Sequence, residues 1–195
     1  IHRISWEQIE KPSDMYQGLE GQIIGVIKLN GDMILLLDFE KIVVEINPET
    51  GISIQQVKKL GKRSNSQTRL VVAEDSPLLR KLLHDTLTEA GFEYLEFFEN
   101  GQDALDYLEG IVESGKPLAD EVHLVITDIE MPQMDGHHLT KRIKQHPELS
   151  KLPVIIFSSL ITDSLRHKGQ IVGADAQISK PEITALIKLI DEYSL

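Results

Sequence analysis

The sequence predicts an α/β protein. Its larger part is a five-stranded parallel sheet wound on both faces by helices, and a smaller β-rich segment precedes it. Three observations carry this prediction. From residue 69 onward, short apolar and β-branched runs alternate with stretches whose apolar residues recur at i, i+3 and i+4. Most of those runs end on a polar residue, and turn or helix-start residues follow. Before residue 58 the pattern changes, and two apolar runs flank Asn30-Gly31, a strong hairpin signal because both turn positions need positive φ.

Residues 23–29 and 33–38 are the hairpin strands. The second is nearly all apolar (Met33, Ile34, Leu35, Leu36, Leu37), more than an isolated hairpin can leave in water. Residues 39–46 continue apolar and fit either a strand or a short helix, and residues 48–51 read as a turn. The chain opens at Ile1 inside a strand-like stretch, residues 1–6, with Trp6 read as core; an earlier part of this domain is therefore expected. Residues 58–68, KKLGKRSNSQT, read as a solvated basic linker rather than a docking patch.

The alternating part runs over residues 69–195. Residues 70–73 form its first strand, ending in Glu74-Asp75. Ser76-Pro77 opens a helix as N-cap and first-turn proline. The core stripe of that helix is Leu79, Leu82, Leu83, Thr86/Leu87 and Ala90, and Gly91 stops it. Residues 94–98 are the second strand, and Asn100-Gly101 leads into a helix carrying Ala104, Leu105 and Leu108. Residues 124–127 are the third strand, which delivers Asp128 to its carboxyl end. Residues 134–145 are mainly helix, with Leu139 and Ile143 inward. Residues 154–157 are the fourth strand, 164–172 a weak helix and 176–179 the fifth strand. A last helix starts at Pro181 and buries Ile183, Leu186, Ile187 and Ile190. Five such units give a doubly wound sheet of flavodoxin-like order 2-1-3-4-5.

Bulk properties narrow the function classes. The 195 residues are 41% hydrophobic and 26% charged, ordinary for a chain with a real core. There is no Cys, so disulfides and thiolate metal sites are excluded. No signal-peptide pattern opens the chain and no apolar run approaches a membrane span, which favours a cytoplasmic protein with no direct membrane insertion. The net charge of -11 is uneven: residues 1–66 hold 8 basic and 9 acidic side chains, whereas residues 67–195 hold 12 and 22. Such an acidic half argues against nucleic-acid binding, which needs clustered Lys and Arg.

In a doubly wound sheet, ligands bind at the carboxyl edge of the strands beside the switch point in strand order. Glu74 and Asp75 end the first strand, Asp128 the third, Ser158 the fourth and Lys180 the fifth. All five therefore converge. Three carboxylates in one small site need either a raised pKa or a cation, and oxygen ligands without Cys or convergent His favour Mg²⁺. A divalent metal, a lysine and a hydroxyl around one carboxylate suit phosphoryl transfer to that carboxylate. His137-His138 and His146 are read as solvated rather than metal-binding, since adjacent helical residues point apart. His123, just before the third strand, is read as structural.

These pieces carry a family resemblance. VVAEDS, LVITDIEMPQMDG, LPVIIFSS and ISKP, at these spacings, make residues 67–195 resemble the receiver domain of bacterial response regulators. The resemblance implies that Asp128 is the phosphoacceptor and that Glu74 and Asp75 are the acidic pair, with Asp75 the direct Mg²⁺ ligand. It also implies that Glu130 offers its backbone carbonyl to the metal, that Ser158 bonds the phosphoryl group in the active state, and that Lys180 is the receiver lysine. The switch position three before that lysine, usually aromatic, is Gln177 here. Small Ser159 leaves access to the site open, and the acidic Glu130 is expected to alter phosphoryl lifetime. Residues 1–57 resemble the second half of a CheW-like coupling domain, a pair of small SH3-like β-barrels, through GVIKLNGDMILLLDFEKIV. A CheW-like domain followed by a receiver is the arrangement of CheV chemotaxis proteins. That family implies coupling of chemoreceptors to the histidine kinase CheA, modulated by phosphorylation of the receiver, with the chain acting as a signalling module and not an enzyme. Two other readings compete: a response regulator with a different β-rich N-terminal domain, and a Mg²⁺-dependent phosphatase or phosphotransferase. The last would use Glu130 as its acid/base carboxylate, but it needs a cap insertion for which the loops are too short.

Overall fold

The protein was analysed as a computed structural model that describes residues 9–10, 23–29, 31–37, 57, 61, 63, 66–159, 161–180 and 182–194. It divides into two compact units, Ile1–Gly51 and Ile52–Leu195. The expected strand at residues 1–6 with Trp6, the stretch 39–46 and the turn at 48–51 lie outside the described residues.

In the first unit, strands β1 (Ile9–Glu10), β2 (Ile23–Leu29) and β3 (Asp32–Leu37) form an antiparallel sheet in the order β1-β2-β3. The predicted hairpin is present, Leu29 pairs with Asp32, and Gly31 takes the positive φ of 91° that the tight turn needs. Ile23, Val26 and Ile27 of β2 are buried, whereas Met33, Ile34, Leu35 and Leu37 of β3 are exposed.

The second unit contains strands β4 (Ser66–Ala73), β5 (Phe92–Phe98), β6 (Leu124–Thr127), β7 (Val154–Ser158) and β8 (Ala176–Ser179). They form one parallel sheet ordered β5-β4-β6-β7-β8, the predicted 2-1-3-4-5 pattern. The helices are α1 (Pro77–Ala90), α2 (Gly101–Glu113), the short α3 (Leu118–Glu121), α4 (Gly136–Gln145), α5 (Asp163–Ile171) and α6 (Ile183–Tyr193). One face of the sheet packs Leu83, Leu87 and Ala90 of α1 with Ile183, Leu186, Ile187 and Ile190 of α6. The other packs Ala104, Leu105 and Leu108 of α2 with Leu139 and Ile143 of α4. Because both faces are covered, the central strands β6 and β7 are buried along their whole length, which explains their unbroken apolar runs.

Local chemistry sets the helix ends. The Ser76 hydroxyl accepts from the Leu79 amide at 3.4 Å, and Gly91 closes α1 with a left-handed φ of 100°. Asn100 and Asp135 cap α2 and α4 in the same manner. The Asp135 cap explains why α4 starts at Gly136, two residues after the expected start. The last helix begins at Ile183 rather than Pro181. The short α3 and the 3-10 turn Leu149–Lys151 were not anticipated, being too brief for a periodicity to register. Leu79 and Leu82 of the expected α1 stripe are only half-buried.

Gly136 is a point of close approach. A Cβ placed on it would lie 1.8 Å from the Asp128 carbonyl oxygen and 2.9 Å from the Thr127 hydroxyl. Gly136→Ala is therefore expected to destabilise the chain by about 1–3 kcal/mol, as overpacked sites do, measured by urea unfolding. An unchanged unfolding midpoint would show that the loop after β6 yields without cost.

Candidate functional site

Parallel registry brings the predicted residues to one edge. Ala73 of β4 pairs with Thr127 of β6, so Glu74 and Asp75 leave the sheet beside Asp128. Ser158 and Ser179 are paired at the ends of β7 and β8, and Lys180 follows directly. The Lys180 amide donates to the Ser158 carbonyl at 3.1 Å, which locks that corner.

The side chains then close a charge cluster. Lys180 Nζ donates to Glu74 Oε2 and to Asp128 Oδ2, each at 2.7 Å. The other Asp128 oxygen, Oδ1, accepts from the Ile129 amide at 2.6 Å, and Glu74 Oε1 accepts from the Ser76 amide at 3.2 Å. One carboxylate oxygen from each of Glu74, Asp75 and Asp128 lies within 4.8 Å of the others. Glu74 is buried, Asp128 half-buried and Asp75 exposed. The cluster is therefore closed on the protein side and open through Asp75.

The electrostatics follow from this geometry. Burial pushes the Glu74 carboxyl up from 4.5 to about 7; the Asp128 charge adds to that rise, and Lys180 opposes it without overcoming it. Burial, and then the Asp128 charge, also raises Asp75. For Lys180, burial disfavours the ammonium, but the two carboxylates it touches outweigh burial and raise its pKa. Three carboxylates against one ammonium leave an uncompensated negative charge, and the donor set is all oxygen. That combination fits a hard divalent cation of the Mg²⁺ class.

Ser158 is buried at the end of β7, beside Lys180. Glu130 lies with its side chain exposed in the loop after Asp128. In that loop Gln133 adopts φ 61°, the one described non-glycine residue with positive φ. Gln177 is half-buried under α5, where its Nε2 donates to the Arg166 carbonyl at 2.8 Å. A Cβ on Gly169 would meet the Gln177 amide at 2.3 Å. The switch position thus holds a fixed polar side chain against α5.

Two histidine expectations have different outcomes. His123 is structural, its Nδ1 accepting from the Arg69 amide at 2.9 Å. His137, read as solvated, is instead buried, with Nε2 3.2 Å from the Leu165 carbonyl. Adjacent positions on α4 do point apart, but this leaves only His138 exposed, because His137 faces α5.

One residue of the site escaped the sequence reading. Arg80 of α1 donates from Nη1 to the carbonyls of Glu74 and Asp75, at 2.8 and 3.0 Å, and its Nη2 pairs with Glu99 at 2.7 Å. It therefore fixes the backbone of the acidic loop. The signal in the sequence was position: one helical turn beyond the Ser76 cap, a cation can reach back over the loop that precedes the helix.

The family model for the response regulator receiver domain matches residues 70–191. The chain belongs to the response regulator receiver family. A CheW-like domain model matches residues 1–47. The chain is 30% identical over 195 residues to chemotaxis protein CheV2 of Helicobacter pylori, covering 97% of this chain and 59% of that protein. It is 28% identical over 187 residues to chemotaxis protein CheV3 of the same organism, covering 92% and 58%. The chain thus spans about three-fifths of the length of these relatives. Among solved structures, a signal receiver domain of a histidine kinase from Syntrophus aciditrophicus superposes with TM-score 0.56 at 29% identity, over 65% of this chain and 89% of that one. The receiver domain of the Pseudomonas aeruginosa sensor kinase PA1611, with a magnesium ion coordinated in its active-site cleft, has the same fold: TM-score 0.56, 16% identity, 66% of this chain and 98% of that one. Both expectations, a receiver and the CheV-type pairing of a CheW-like segment with it, are met.

Two predictions follow from the cluster. Because the folded-state pKa of Glu74 lies above its ordinary 4.5, the metal-free folded chain binds more protons than the unfolded chain, and its stability falls as pH rises from about 4.5 through about 7. Urea unfolding in chelator is expected to show that loss in the wild type and a flatter profile in Glu74→Gln; equal profiles would place the titration elsewhere. Arg80→Ala is expected to weaken Mg²⁺ binding roughly 10-fold, as loss of groups that orient metal ligands does, read by calorimetric titration. Unchanged affinity would show that the acidic loop holds its shape without Arg80.

Proposed function

We propose that this chain is part of a phosphorylation-controlled coupling protein of chemotaxis, in which Asp128 accepts a phosphoryl group. The observation that carries the reading is the double contact of Lys180 with Glu74 and Asp128, at the edge of a receiver sheet that follows a CheW-like segment.

The chemistry assigned to each side chain follows from its contacts. The Ile129 amide and Lys180 hold one Asp128 oxygen each and so fix the carboxylate plane. An Asp128 oxygen attacks the phosphorus of a phosphohistidine; the P–N bond breaks as the acyl phosphate forms, and the imidazole leaves with its electron pair. Lys180 stays within the site as a counter-charge to the growing negative charge on phosphoryl oxygen. Ser158 supplies a hydroxyl from the neighbouring strand end to the bound phosphoryl group. Asp75 and Asp128, with the Glu130 backbone carbonyl and Glu74 behind them, would hold Mg²⁺, which when bound neutralises charge on the phosphoryl oxygens. Glu130 keeps an acidic side chain at the mouth of the site, and Gln177 replaces the usual aromatic switch with an amide held on α5.

The partners in this reading are CheA as phosphoryl donor and chemoreceptors as the coupled element, in the cytoplasm. No helix among the described residues is long and apolar enough to cross a membrane. The CheW-like match over residues 1–47 favours this reading over a receiver controlling an unrelated output domain. The phosphatase reading has less support, because the described connections after β6 and β7 carry no cap-sized insertion. The chain is thus read as a phosphoryl-accepting module rather than an enzyme acting on a separate substrate.

Incubation with acetyl phosphate and Mg²⁺, followed by intact mass spectrometry, is expected to add one phosphoryl group to the wild type and none to Asp128→Asn. An unmodified wild type would sink the phosphoacceptor assignment. Co-precipitation of the full-length protein with CheA and with receptor cytoplasmic domains tests the coupling half; binding to neither would overturn it.

A further inference from the structure

The stretch between the two sequence-predicted domains has the composition of a solvated tether, yet Arg63 within it and Val57 just before it are built into the receiver. Val57 is 1% exposed and belongs to the core cluster formed by α1, α6 and Phe92. Arg63 is fastened more specifically. Its amide donates to the Ala90 carbonyl at 3.0 Å, at the end of α1. Its guanidinium faces the Asp191 carboxylate as a two-pronged fork: Nε donates to Oδ1 at 2.5 Å, and Nη2 donates to Oδ2. The same guanidinium lies over the Phe92 ring, 5.3 Å from its centroid.

The receiver side is shaped for this contact. Gly91 takes φ 100°, and a Cβ there would come within 2.4 Å of the Arg63 carbonyl oxygen and 2.9 Å of its amide nitrogen. The Arg63 backbone therefore occupies space that only a glycine leaves open. A planar fork on a carboxylate has defined geometry where a lysine contact would not, so the pairing sets position as well as attraction.

Asp191 stands near the carboxyl end of α6, and α6 begins three residues after Lys180. The helix is a rigid link of about 12 Å between Ile183 and Asp191 at 1.5 Å per residue. One end follows the lysine that grips Asp128, and the other grips Arg63.

We propose that Arg63 and Asp191 form a latch that fastens the chain at Arg63 to the end of helix α6, so that the state of Asp128 reaches the preceding chain through Lys180, α6 and Arg63. The regulatory half rests on Asp128 being the phosphoacceptor; the latch itself does not.

Hydrogen–deuterium exchange of the full chain, read peptide by peptide, tests both. In the unphosphorylated wild type, the peptide spanning residues 57–66 is expected to exchange slowly. In Arg63→Ala and in Asp191→Asn it is expected to exchange at least 10-fold faster, while the peptide over β6 stays protected. The double exchange Arg63→Asp with Asp191→Arg is expected to restore slow exchange. A wild-type segment exchanging as fast as an unfolded chain, or single variants without effect, would overturn the latch. After acetyl phosphate and Mg²⁺, a chain whose intact mass shows the phosphoryl group is expected to change protection over residues 57–66, and Arg63→Ala is not. A phosphorylated wild type with unchanged protection there would overturn the coupling. A missing mass shift would count against the phosphoacceptor reading alone, and the unphosphorylated comparison would still decide the latch.

Discussion

One ammonium group holds two carboxylates that come from different strands. Lys180 Nζ lies 2.7 Å from both Glu74 and Asp128, and all three side chains are largely withdrawn from water. Removing either class of partner would leave a buried charge uncompensated, which in proteins costs about 3–5 kcal/mol. The sheet order, the strand lengths and the loop closures all serve to bring that lysine to that aspartate. A slip of one residue in β4, β6 or β8 would turn a charged side chain of the cluster into the core and break the contact.

The support is local and identifiable. Gly136 lets α4 start directly against the Asp128 carbonyl, which fixes the loop that carries Asp128. Arg80 clamps the carbonyls of the acidic loop from the first turns of α1. The Ile129 amide sets the rotamer of Asp128. What these contacts do not supply is charge balance, since burial leaves the Glu74 carboxyl at about 7 and raises Asp75. The site is thus short of positive charge, and its open side is the exposed Asp75.

Much of this was legible in the sequence, for physical reasons. Strands buried on both faces read as continuous apolar runs, and helices between them read at 3.6-residue period, so the β5-β4-β6-β7-β8 order and the convergence of Glu74, Asp75, Asp128, Ser158 and Lys180 could be inferred. Contacts that depend on which element covers which could not. His137 became buried because α5 lies over it, and Arg80 turned back onto carbonyls that no sequence pattern marks. Arg63 looked like part of a tether because composition reports solvation preference, not the presence of a fitting surface at Gly91, Phe92 and Asp191.

The central claim is that Lys180 holds Glu74 and Asp128 together in a site short of positive charge. Carbon-13 NMR of the side-chain carboxyls across a pH titration tests it most directly, in metal-free wild type and in Lys180→Met. The account predicts that Glu74 titrates near 7 in the wild type, higher once Lys180 is removed, and lower when Mg²⁺ is added. A Glu74 carboxyl titrating at its ordinary 4.5, indifferent to both changes, would contradict it.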